Sequence, residues 1–158
     1  LTWDLEKCQV RVWVITQSRD GMRARAGSKN YVEWHGRAWR LRFDHCEIVI
    51  DDHNPDHYNS RKCDNDHWLR PDIVWFNDFL IPAITQKADE IISKSDLFIS
   101  IGTSGVVWPA AGFPQIAKSN GATLIEINPE PSEQSDLYDH VFRGRASDML
   151  NTILGKSN

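Results

Sequence analysis

Short apolar runs bounded by turn residues recur along this 158-residue chain, alternating with stretches of helical period. Val10-Arg11-Val12-Trp13-Val14-Ile15 is β-branched and aromatic, the composition of a strand, and Thr16-Gln17 closes it. A polar stretch over 18–30 has room for a short helix, and Tyr31-Val32-Glu33-Trp34 predicts a short strand ending at His35-Gly36. Four more strands are predicted at Asp72–Phe76, Leu97–Ile101, Thr123–Ile127 and His140–Arg143. Helical spacing covers Leu1–Lys7, Ile81–Lys94, Pro109–Ser119 and Ala146–Leu154. Pro82 falls in a first turn, where a missing N–H costs little, and Asn120-Gly121 is a stop signal. Strands alternating with helices predict an α/β fold, a Rossmann-like parallel sheet with helices on both faces.

The pattern breaks between Arg37 and Arg70, a stretch rich in His that holds two of the three Cys and a loop of Asp, Asn, His and Pro. We expect 37–70 to be a small inserted module and 1–36 with 71–158 to form the Rossmann-like domain.

Composition narrows the class. No apolar run reaches the ~18–20 residues of a membrane-spanning helix, so no membrane partner is expected. Seven Trp and six Phe are too many large apolar side chains for a disordered chain. Three Cys argue against a disulfide scaffold and for a reducing, intracellular setting, cytoplasmic, nuclear or mitochondrial. The chain opens at Leu1 inside a helical pattern and reads as a piece of a longer one. Charge is uneven, with nine Lys/Arg against six Asp/Glu in residues 1–50 and nine against sixteen in the remainder. A basic half could draw phosphates, but a solvated face is the simpler reading, and no nucleic-acid-binding signature accompanies it.

In parallel α/β sheets ligands bind beyond the carboxyl ends of the strands. Thr16-Gln17, Gly102-Thr103-Ser104 and Asn128-Pro129-Glu130 all follow predicted strands. Gly102 would let backbone approach a phosphate or ribose, with Thr103 and Ser104 supplying hydroxyls. Asn128 and Glu130 offer an amide and a carboxylate to ribose hydroxyls. Each group alone could equally be ordinary turn chemistry, and His35 alone an ordinary histidine at a strand end.

Taken together, these residues resemble the sirtuins, the NAD-dependent protein lysine deacylases. The resemblance rests on Val14-Ile15-Thr16-Gln17, Asp20-Gly21, Arg25-Ala26-Gly27-Ser28, His35-Gly36 and Leu69-Arg70-Pro71-Asp72-Ile73-Val74-Trp75-Phe76. It continues through Ile101-Gly102-Thr103-Ser104, Val107-Trp108-Pro109-Ala110-Ala111-Gly112 and Glu126-Ile127-Asn128-Pro129-Glu130. It implies that His35 is the general base activating a ribose hydroxyl after nicotinamide leaves. Thr16 and Gln17 would line the nicotinamide ribose, and Asp20 would meet the nicotinamide amide. Gly102, Thr103, Ser104, Asn128 and Glu130 would hold the adenosine ribose and phosphates, and Gly144, Arg145 and Ala146 the adenine. Val74, Trp75 and Phe76 would take an acylated lysine of a protein or peptide by strand addition.

Four departures from that pattern carry expectations. The family's Gly-rich loop is absent from the 158 residues. NAD binding by the isolated chain should then be weak, and a further N-terminal portion or partner chain would have to complete the sheet. Ser18-Arg19 stand where the family has Asn-Ile, which should cost a polar contact to nicotinamide. The paired Cys of a zinc module are reduced to Cys46 and Cys63, with His45, Asp66 and His67 nearby. We expect this module to be metal-free or to lose zinc readily. Asn77 replaces a family Gly and adds a side chain beside the peptide. The resemblance thus implies a divergent or truncated deacylase, the alternative being an impaired module that binds NAD, ADP-ribose or a protein without turnover.

Overall fold

The computed structural model describes residues 10–43, 49–51, 62 and 66–153. They fall into two compact units, Leu1–Ala88 and Asp89–Asn158. In the first, β1 (Val14–Thr16) runs parallel to β2 (Tyr31–Glu33), with Val14 opposite Tyr31 and Thr16 opposite Glu33. Between them in sequence lies α1 (Met22–Arg25). The chain then turns through Trp34-His35 into β3 (Gly36–Phe43), which pairs antiparallel with β4 (Val49–Asp51) and β5 (Leu69–Ile73). Alternation along β3 explains its two sides. Leu41 and Phe43 cluster with Leu69 in the core, while Arg40 and Arg42 turn the other way. There Arg40 Nε meets Asp72 Oδ2 at 2.5 Å and Arg42 Nε lies 3.6 Å from Asp72 Oδ1.

Gly36 makes the entry into β3 possible. Its φ is +76°, and a Cβ there would lie 2.1 Å from the Asp72 carbonyl oxygen. No L side chain fits that approach.

The second unit holds a parallel sheet in the order β6 (Leu97–Ile101), β7 (Thr123–Ile127), β8 (His140–Phe142). α3 (Phe113–Ser119) connects β6 to β7 and packs on both, burying Phe113, Pro114 and Ala117. α2 (Pro82–Ile92) precedes the sheet in sequence and α4 (Ala146–Ile153) follows it. Among the described residues no helix is long and apolar enough to cross a membrane.

The α/β class with parallel, Rossmann-like strand pairing is as expected, with local corrections. The strand predicted at Asp72–Phe76 is β5, Leu69–Ile73, and it joins the antiparallel sheet rather than a parallel one. Pro71 lies inside β5, an edge strand, where a missing N–H is tolerated. The first strand shortens to Val14–Thr16 and includes Thr16, because pairing extends only as far as β2 reaches. The helix predicted at Pro109–Ser119 opens instead with a 3₁₀ turn over Ala110–Gly112. The helix expected at Leu1–Lys7 lies outside the described residues.

Candidate functional site

Parallel register brings functional groups to the strand exits of each unit. In the first, pairing of Thr16 with Glu33 sets Gln17 beside His35. The Trp34 N–H donates to the Thr16 carbonyl at 2.9 Å, and His35 Nδ1 lies 3.3 Å from the Gln17 carbonyl oxygen. A carbonyl only accepts, so Nδ1 carries the proton and Nε2 keeps its lone pair. Burial lowers the His35 pKa; the Gln17 carbonyl opposes that, and Arg19 repels the imidazolium. His35 is therefore held toward its neutral form. Its own carbonyl accepts from the Val74 N–H at 3.0 Å, tying the turn at His35 to the residue that follows β5.

Thr16 also holds the next turn, its Oγ1 accepting from the Ser18 N–H at 3.1 Å. Ser18 Oγ donates to Asp20 Oδ2 at 2.5 Å, and Asp20 Oδ1 accepts from the Met22 N–H at 2.8 Å. Those contacts, Ser18 first, lower the Asp20 pKa. Ser18 thus orients Asp20 from within the chain. Beyond β5 the Trp75 N–H reaches Asp78 Oδ2 at 3.3 Å and the Asp78 N–H the Trp75 carbonyl at 3.0 Å. Asn77 within this turn has a φ of +75°, a conformation that Asn tolerates better than most residues. Trp75 is 51% and Phe76 87% exposed, large aromatic side chains left open to solvent.

In the second unit, Ile101 pairs with Ile127 and Ile127 with Phe142, which aligns the exits at Gly102, Asn128 and Arg143. The Gly102 N–H donates to the Ile127 carbonyl at 2.9 Å. Gly102 has a φ of +63°, and a Cβ there would meet nothing within 4 Å, so the approach to its backbone is open. Asn128 Nδ2 donates to the Thr103 carbonyl at 2.8 Å, leaving Oδ1 as its acceptor for a ligand. Ser104 and Glu130 are exposed, as is Arg145, whose carbonyl accepts the Asp148 and Met149 N–H groups at the start of α4. Gly144 precedes it with a φ of +155°, its backbone against Met149, and Ala146 opens α4.

Sequence reasoning misses Glu126, Ser132, Gln134, Ser135 and Arg143. Glu126 is 1% exposed, a carboxylate inside a mostly apolar strand, and that break in the Thr123–Ile127 pattern is the signal that could have found it. Among the described residues no group of three or more His, Cys, Asp or Glu could hold a metal ion. Cys46, Cys63 and His45 lie outside the described residues, and Asp66 is ion-paired with Lys62 at 2.6 Å.

The family model for the Sir2 family matches residues 2–109, more than half of the sequence. The chain belongs to the Sir2 family. It is 43% identical over 154 residues to NAD-dependent protein deacylase 2 of Pyrobaculum aerophilum, an alignment covering 96% of this chain and 61% of that protein. Against the NAD-dependent protein deacylase of Aquifex aeolicus the identity is 38% over 143 residues, covering 89% and 60%. The fold superimposes on a crystal structure of a Sir2 homolog–NAD complex with a TM-score of 0.89 at 34% identity, covering 96% of this chain and 60% of that one. A Sir2–p53 peptide–NAD+ structure gives a TM-score of 0.87 at 27% identity, covering 97% and 66%. The chain spans about three-fifths of the length of these curated relatives.

Proposed function

We propose that this chain carries the catalytic base and the adenosine-facing strand exits of an NAD-dependent protein lysine deacylase. The observation that carries the reading is the contact of His35 Nδ1 with the Gln17 carbonyl at 3.3 Å, which engages Nδ1 as a donor and leaves Nε2 to accept a proton. When bound, NAD supplies an electrophilic ribose carbon and nicotinamide as its leaving group. His35 takes the proton of a ribose hydroxyl at Nε2. Thr16 and Gln17 line that ribose, and Asp20, held by Ser18 and Met22, meets the nicotinamide amide. Gly102, Thr103, Ser104, Asn128 and Glu130 take the adenosine ribose and phosphates, and Gly144, Arg145 and Ala146 the adenine. Val74, Trp75 and Phe76 take the acylated lysine of a protein or peptide, with the exposed rings of Trp75 and Phe76 walling its aliphatic stem. The Val74 and Trp75 N–H groups are engaged within the chain, so strand addition falls to the remaining backbone groups of the segment.

The test is nicotinamide release from NAD in the presence of an acetyl-lysine peptide. His35→Ala should lose about 10²-fold or more in turnover while retaining ADP-ribose binding. ADP-ribose binding by the unaltered chain without nicotinamide release would support instead the non-catalytic binding module that Ser18 and Arg19 favour. An unchanged rate in His35→Ala would remove it from the mechanism.

A further inference from the structure

A polar assembly outside the immediate ligand-facing residues surrounds Glu126. A carboxylate with 1% exposure needs compensating donors. Ser132 Oγ donates to Oε1, and on Oε2 converge Ser135 Oγ at 2.6 Å and Arg143 Nη1 at 2.8 Å. The Arg143 guanidinium does more than neutralise the carboxylate. Nη1 also reaches the Glu130 carbonyl at 3.1 Å and the Asn128 carbonyl at 3.4 Å, and Nη2 reaches Ser135 Oγ at 3.0 Å. Ser135 Oγ in turn accepts the Ser132 N–H at 2.9 Å.

The same loop is fastened to the neighbouring strand exit. Gln134 Nε2 donates to the Gly105 carbonyl at 2.9 Å and the Ala111 carbonyl at 2.8 Å. Asn128 Nδ2 holds the Thr103 carbonyl from the other end. The exits at 102–105 and 128–135 are thus one connected piece.

We infer that Arg143 is a positioning residue for the adenosine half of the cofactor, bridging buried Glu126 to the Asn128 and Glu130 carbonyls and so setting where that exit presents its side chains. The inference rests on the NAD reading above. A lysine could neutralise Glu126, but its single ammonium lacks the planar fork that serves a carboxylate, a hydroxyl and two carbonyls together. Charge and geometry are therefore separable by substitution.

The experiment compares the unaltered chain with Arg143→Lys and Arg143→Ala. Thermal melting, amide hydrogen exchange at Ser132 and Gln134, and calorimetry with ADP-ribose are read on each. Arg143→Lys should melt close to the unaltered protein, exchange those amides faster, and bind ADP-ribose about tenfold more weakly. Unaltered exchange together with full affinity in the lysine variant overturns the inference alone. Losses of affinity that merely track melting temperature across the two variants also overturn it, by reducing Arg143 to a structural role. Absence of ADP-ribose binding by the unaltered chain overturns the cofactor reading, and the inference with it.

Discussion

His35 is tuned by opposed neighbours. Burial and then Arg19 disfavour its cation, while the Gln17 carbonyl favours it, and the balance lies below the ordinary histidine value of about 6.5. A general base must be neutral to work. On the deacylase reading, turnover should therefore persist below pH 6.5 and fall as the pH drops through the depressed value. Arg19→Gln removes the repulsion, so the acid limb of kcat/KM against pH should move upward toward about 6.5. An acid limb that stays in place would show that Arg19 does not reach the imidazole. Arg19 stands where an aliphatic residue is expected from the resemblance, and its consequence is thus a shifted working range as well as a lost contact.

Among the elements, the turn from β2 into β3 tolerates the least change. Gly36→Ala adds a Cβ at 2.1 Å from the Asp72 carbonyl oxygen and imposes a left-handed φ on a residue that resists it. Urea unfolding should report a loss of about 2–4 kcal/mol, and a loss below ~1 kcal/mol would mean that β5 moves aside without penalty. β6 and β7 were legible because each is a five-residue run, mostly apolar, between clear turn signals. β5 was harder, since its partner β3 runs antiparallel and lies mostly in the segment 37–70 whose pattern breaks from the rest. His35 and Gln17 could be named from the sequence, but not the tautomer, which depends on the register of Thr16 against Glu33. Arg143 was invisible as a positioning group, because its partner is 17 residues away and they meet only through the β7–β8 register.

For the whole molecule, the Glu126 assembly links folding to acidity. Burial alone would raise the Glu126 pKa, but Ser132, Ser135 and Arg143 outweigh it and lower the value. The ionised carboxylate therefore contributes stability that is present above the ordinary glutamate range and is lost as the pH falls through the depressed folded value. Glu126→Gln should cost about 2 kcal/mol at neutral pH, less than a fully enclosed pair because Arg143 keeps contact with water. Melting curves of the variant and the unaltered protein should converge as the solution is acidified. Parallel curves across the acid range would remove Glu126 from that dependence. The Val74 N–H bonded to the His35 carbonyl has a different consequence. If Val74 seats a substrate and His35 acts as the base, this one amide links docking to proton abstraction, and a peptide whose seating shifts Val74 also shifts the imidazole. On the deacylase reading, sequence preference among acylated peptides should then appear in turnover as well as in apparent affinity, and a poor substrate would be a tightly held but badly aligned one.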